Sequence, residues 1–157
     1  MKPRSLLDRL VEHQNVVRGI IARAETCLRH PHQRDALTLA KLRWEVARAI
    51  GAYTLFKHHE LFDPLVAHGT AEQARVAAEA KRACLAMGEQ FQAHVRKWSG
   101  TPVADHWDEY KPATVAILAK LRAHFDTERQ VVASMLVADP QAVRVRRPVA
   151  IGAGDRA

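Results

Sequence analysis

His124 and Glu128 lie four residues apart in LRAHFDTERQVV, residues 121–132, and on a helix that spacing puts them on one face. With Ile117, Leu121, Val131 and Met135 they form a single stripe spaced by threes and fours. An imidazole and a carboxylate on an apolar stripe leave water, and each would cost about 1–3 kcal/mol if left unpartnered. Each needs a partner inside the protein. A metal ion is one candidate, because imidazole and carboxylate together suit iron, manganese or zinc. His13 falls on a comparable stripe near the N terminus, with Leu6, Leu10, Val17, Ile20, Ala24 and Leu28, and is expected to point inward.

Long helices must position these groups. The chain has 157 residues, enough for one domain with a real core, and long stretches rich in Ala, Leu, Arg, Glu and Gln favour helix over strand. The first helix is expected over 5–28, ended by the turn around Pro31. The second is expected over 34–61, with Leu39, Leu42, Val46, Ala49, Tyr53 and Phe56 inward, Trp44, Leu55 and Phe62 extending the apolar surface, and Pro64 and Gly69 closing it. A third over 71–98 uses Val76, Ala80, Cys84, Met87, Phe91 and Trp98 as its seam. Thr101 reads as an N-cap with Pro102 at the first helical position, and Pro112 as a kink or fresh start before a last helix over 112–137. These elements predict an all-α, up-down-up-down four-helix bundle over residues 1–138 with a flexible, disordered basic tail over 139–157.

In this frame the sequence resembles a known family at two places. LLDRLVEHQNVVRGII, at 6–21, resembles the opening helix of hemerythrin-like cation-binding proteins, and LRAHFDTERQVV resembles their last helix. The resemblance extends over about residues 5–137 and implies a four-helix bundle holding a non-haem di-iron site, used to bind oxygen or nitric oxide or to sense oxidants or iron. In that family the second helix carries a His-x-x-x-Glu pair before a Leu-Phe-Pro-like ending, which FKHHELFDPLV, at 56–66, resembles. Counting back from Pro64 puts Thr54 and His58 at the pair; shifting by two puts Phe56 and Glu60 there, and neither register completes it. The family's third helix supplies histidine near its middle, where this chain has Lys81. The resemblance thus implies ligand positions at His13, His124 and Glu128 with His58 or Glu60. Lys81 is a candidate to stand beside Glu128 and replace a metal's positive charge, and the Tyr53 hydroxyl is a candidate to hydrogen-bond into the site.

Other chemistry lacks support. No glycine-rich phosphate loop, Ser-His-acid arrangement or zinc-finger spacing is evident, so no catalytic residue is assigned and binding or sensing is expected rather than enzymatic turnover. The net charge of +7 is spread over helix faces and a tail containing Arg144, Arg146, Arg147 and Arg156, so a solvated surface is read in preference to a nucleic-acid partner. Cys27 and Cys84 read as reduced core residues. With no signal-like N terminus and no long apolar run, no membrane association is expected and a cytoplasmic location is the default. The expected function is a hemerythrin-like bundle with a degenerate or reduced metal site, working as a sensing, regulatory or interaction module, with a protein partner possible. The alternative is a working non-haem iron protein, di-iron or mononuclear, with a diatomic gas as ligand. The cofactor is accordingly none or non-haem iron.

Overall fold

In a computed structural model, residues 4–30 and 36–138 are described. They form α1 (Leu6–Arg29), α2 (Ala36–Phe56), a π-helical segment (Lys57–Phe62), α3 (Asp63–His68), α4 (Ala71–Ser99), a short 3₁₀ turn (Ala104–His106) and α5 (Trp107–Ala138). Since α2, the π segment and α3 follow one another without a break, the chain makes four long rods, and the all-α four-helix bundle is the fold. α1 packs against α2 and α5, and α4 against α5 and the π segment. The tail over 139–157 lies outside the described residues, as does the turn around Pro31.

Local chemistry sets the helix starts. Ser5 caps α1 by accepting from the Asp8 amide while the Asp8 carboxylate accepts the Ser5 amide, and Thr70 and Gln73 do the same for α4. Gln73 is buried, and its side-chain amide also donates to the Met135 carbonyl, tying the start of α4 to the end of α5. Gly69 lets α3 turn into α4 at close quarters. Its amide donates to the Leu65 carbonyl oxygen, and a Cβ there would stand only 2.5 Å from that same oxygen. Gly69→Ala is therefore expected to destabilise the fold by about 1–3 kcal/mol, seen as a lower urea midpoint at unchanged slope. An unchanged midpoint would contradict this packing.

Three expectations about the helices need correction. Pro64 does not close the second rod: it lies just past the π segment, in the first turn of α3, and the rod runs on to His68. Pro112 starts no new helix but is absorbed into α5, near whose start the freed carbonyl belongs to exposed Asp108. Thr101 does not cap a helix; its hydroxyl donates back to the Lys97 carbonyl. Trp44 and Leu55 also depart from the expected apolar surface, being 54% and 61% exposed.

The core runs the length of the bundle. Leu10, Val17 and Ile21 of α1, Tyr53 of α2, Leu61, Phe62 and Leu65 of the second rod's far end, and Leu121, Phe125 and Val132 of α5 are all essentially out of water. Burying an aliphatic or aromatic side chain of this size contributes about 1.5–3 kcal/mol. Against that background the buried polar residues Gln14, Lys57 and Glu128 stand out.

Candidate functional site

Glu128 sits at the centre of these groups. It is 5% exposed, on the inward stripe of α5, with Leu121, Phe125 and Val132 around it on the same helix. Lys57, 2% exposed, reaches it from the start of the π segment. The ammonium Nζ donates to both carboxylate oxygens, at 3.1 Å to Oε1 and 3.0 Å to Oε2, and also lies 4.0 Å from the centroid of the Tyr53 ring. The Tyr53 hydroxyl donates to Oε1 of Glu128. Gln14 closes the chain of contacts: its side-chain amide donates to the Tyr53 oxygen at 2.9 Å and to the Phe125 carbonyl at 3.0 Å. The result is a dry relay, Gln14 to Tyr53 to Glu128, with Lys57 as counter-charge.

The remaining side of Glu128 faces His124 and Cys84. His124 Nε2 lies 3.3 Å from Oε2 of Glu128, yet it is buried without an aligned hydrogen-bond partner. One ligand atom each from Cys84, His124 and Glu128 can be chosen so that all three lie within 4.8 Å of one another. A groove of about 210 Å³ between α4 and α5, walled by Val76, Ala80, Ala83 and Val131, reaches His124 and Glu128 from outside.

Electrostatics follows from this packing. Burial works to raise the Glu128 pKa, but His124, the Lys57 charge and the Tyr53 hydrogen bond outweigh it and hold the carboxyl below its ordinary value. For His124 burial works downward; the Cys84 sulfur and the Glu128 carboxylate prevail and push it up to about 9. Burial, followed by the Glu128 charge, drives the Tyr53 hydroxyl far above the tyrosine range, which keeps it a proton donor. At neutral pH the centre is thus one carboxylate between an ammonium and an imidazolium.

Other residues singled out from the sequence lie elsewhere. The α1 seam keeps Leu10, Val17, Ala24 and Leu28 of the expected stripe but passes through Gln14 and Ile21 in place of His13 and Ile20, so Gln14 and not His13 enters the core. His13 lies half-buried at the seam's edge, stacked on Tyr53 at 5.6 Å and Phe56 at 4.9 Å, and burial followed by the Arg9 charge lowers its pKa. The two histidines have different partners: His13 stacks on Tyr53 and Phe56, and His124 lies beside Glu128 and Phe125. Glu60 is exposed and pairs with Arg9 at 2.5 Å. Lys81 does not stand beside Glu128; it pairs with Asp63 at 2.6 Å near the surface. His58 is half-buried against Phe62 with an unpartnered Nε2, and its pKa is lowered by burial and then by Lys81. Tyr53 is in the centre, as its candidacy required.

Sequence reasoning missed Lys57 and Gln14 and treated Cys84 as packing alone. A signal for Lys57 existed. Leu42, Val46, Tyr53, Lys57, Leu61 and Leu65 follow one another by fours and a seven, so a lysine occupies a core position of the second rod. The π turn hid this, because its extra residue shifts the inward face and makes a register counted back from Pro64 unreliable.

The described residues do not fit a di-iron centre. Two bridged irons need imidazoles and carboxylates from all four rods, whereas Glu128 has one imidazole and one thiol beside it and an ammonium on both of its oxygens. No family model, curated protein or solved structure matches this chain. No helix among the described residues is long and apolar enough to cross a membrane.

Proposed function

We propose that this chain is a hemerythrin-like bundle in which the Lys57 ammonium takes the role of a metal, and that it works as a sensing, regulatory or interaction module and not as an enzyme. The observation that carries this reading is the contact of one ammonium with both oxygens of Glu128, each side chain being 3% exposed. A buried carboxylate needs a positive partner, and an ammonium supplies one without coordination chemistry. The first and last helices support the kinship through the motifs at 6–21 and 121–132. A protein partner suits such a module, since no diatomic ligand binds an ammonium as it binds iron.

A second reading rests on Cys84. Thiolate, imidazole and carboxylate within 4.8 Å form a donor set for one divalent cation, reachable from the groove between α4 and α5. Lys57 would have to release Oε2 of Glu128 for it.

Elemental analysis of protein expressed in iron- and zinc-rich medium separates these readings. The first expects well under one metal per chain and a melting temperature indifferent to chelator. Two irons per chain would overturn it. One cation per chain, with a sulfur-to-cobalt absorption band on cobalt(II) substitution that disappears in Cys84→Ser, would establish the second.

A further inference from the structure

Between α2 and α4 the bundle is left open. A groove of about 520 Å³ runs there, bounded by Trp44, Ile50 and Gly51 on α2 and by Leu85, Gly88 and Val95 on α4. Its α4 wall extends from Cys84 to Arg96, about 18 Å at the helical rise per residue. Two glycines keep it open, since a Cβ at Gly51 or Gly88 would meet no atom within 4 Å. Leu85, 49% exposed, lines the groove from α4 as the exposed Trp44 does from α2, and exposed Leu55 lies one turn beyond Gly51. Apolar groups gathered around a cleft and rimmed by charge mark an interaction surface.

The rim is basic. On α2, Leu37, Lys41, Trp44, Arg48, Gly51 and Leu55 follow one another by fours and threes, so cations alternate with apolar or small groups along one exposed edge. On α4, exposed Arg82, Glu89 and Arg96 repeat by sevens, and the last two line the groove itself. Lys41, Arg48, Arg82 and Arg96 form no ion pair among the described residues, whereas Arg23, Arg75 and Lys97 do. Only Glu89 among these rim residues opposes them. An occupant must therefore be apolar along one face, to fill the space over Gly51 and Gly88, and acidic along its flanks. A second copy of this chain does not meet the condition, because two-fold pairing presents a patch to itself and would set these cations against their own mates. A lipid surface would meet the rim and leave the floor of the groove unfilled.

We propose that the α2–α4 groove docks an acidic amphipathic helix of a partner protein, with Trp44 and Leu85 as apolar anchors and Arg48 and Arg96 as its charge partners. The proposal stands whichever cation neutralises Glu128. Cys84 lies in the groove wall, so the test is run with EDTA, which makes it independent of any metal at Cys84, His124 and Glu128. The probe is a displayed library of helical peptides of about 18 residues, with leucine along one face and glutamate, lysine or glutamine allowed on the flanks. Selection against the full chain is expected to enrich flanking glutamate, and fluorescence anisotropy of the selected peptide gives its affinity. Gly88→Leu, which fills open space, should leave the melting temperature unlowered and weaken binding by about tenfold or more. Trp44→Ala, at an exposed position, should weaken it by a similar factor. Arg48→Glu combined with Arg96→Glu should reverse the selection toward lysine-flanked peptides. The assignment is overturned if no peptide is selected, if wild type prefers lysine or shows no preference, or if Gly88→Leu and Trp44→Ala both bind undiminished. It is equally overturned if sedimentation shows a dimer that Gly88→Leu dissociates, or if anionic vesicles bind this face in preference to the peptide.

Discussion

Lys57→Met is expected to destabilise the protein by about 3–5 kcal/mol, the cost of leaving a buried carboxylate without its cation. Met approximates the length of the lysine stem, so packing is largely retained and the loss reports on charge. Glu128 would then face only His124 as a positive group, with Tyr53 still donating. The deficit should shrink as pH falls, since protonating Glu128 removes the unpaired charge. Lys57→Met combined with Glu128→Gln should recover most of the loss, because the amide keeps an acceptor for Tyr53 and no charge remains buried. Urea unfolding of wild type, both single variants and the double variant measures the coupling directly. A Lys57→Met variant within about 1 kcal/mol of wild type at neutral pH would mean that the ion pair is not the organising feature of this core. The variant also frees both Glu128 oxygens, so any cation taken up by Cys84, His124 and Glu128 should bind more tightly in it than in wild type.

The second large effect is on the pH dependence of stability. His124 holds its proton more tightly in the fold, up to about 9 against an ordinary 6.5, so its contribution is complete below 6.5 and is lost as pH rises through 9. Glu128 has the opposite sign. Its folded pKa lies below the ordinary 4.5, so its contribution is present above that value and is lost as pH falls through the depressed one. Both operate together from about pH 5 to 6.5, and because burial lowers the imidazoles of His13, His58 and His94, which disfavours the fold toward acid, stability should peak near the upper end, about pH 6.5. Between pH 6.5 and 9.5 the wild type should lose about 1–2 kcal/mol, a figure reduced for solvent screening from the groove side. His124→Gln should flatten this alkaline limb and leave the acid limb in place. Denaturant midpoints over that pH range check it, and an alkaline limb of equal slope in His124→Gln would disprove the role given to this imidazole.

Much of the architecture was legible in the chain. Leu, Ala and Val at spacings of three and four marked the long helices, the capping pairs Ser5–Asp8 and Thr70–Gln73 fall at two of their starts, and the stripe holding His124 and Glu128 is the one that α5 turns inward. The expectation of a lysine beside Glu128 was right in residue type and misplaced in position, naming Lys81 where Lys57 stands. Likewise His13 was chosen over its neighbour Gln14, because an apolar stripe defines a helix face only to within one residue when both options fit its spacing.

Periodicity is a local property, and so composition and spacing alone determined that this chain is helical, where its first and third rods begin and end to within a residue, and that an imidazole and a carboxylate share an inner face. The partners of that carboxylate were beyond such a reading. Gln14, Tyr53, Lys57 and Cys84 come from three other stretches of chain, and which of them meets Glu128 depends on the rotation of each helix about its axis and on one π turn that offsets the second rod. Those rotations are set by how side chains from all four rods fill a common interior, a condition that no single segment expresses.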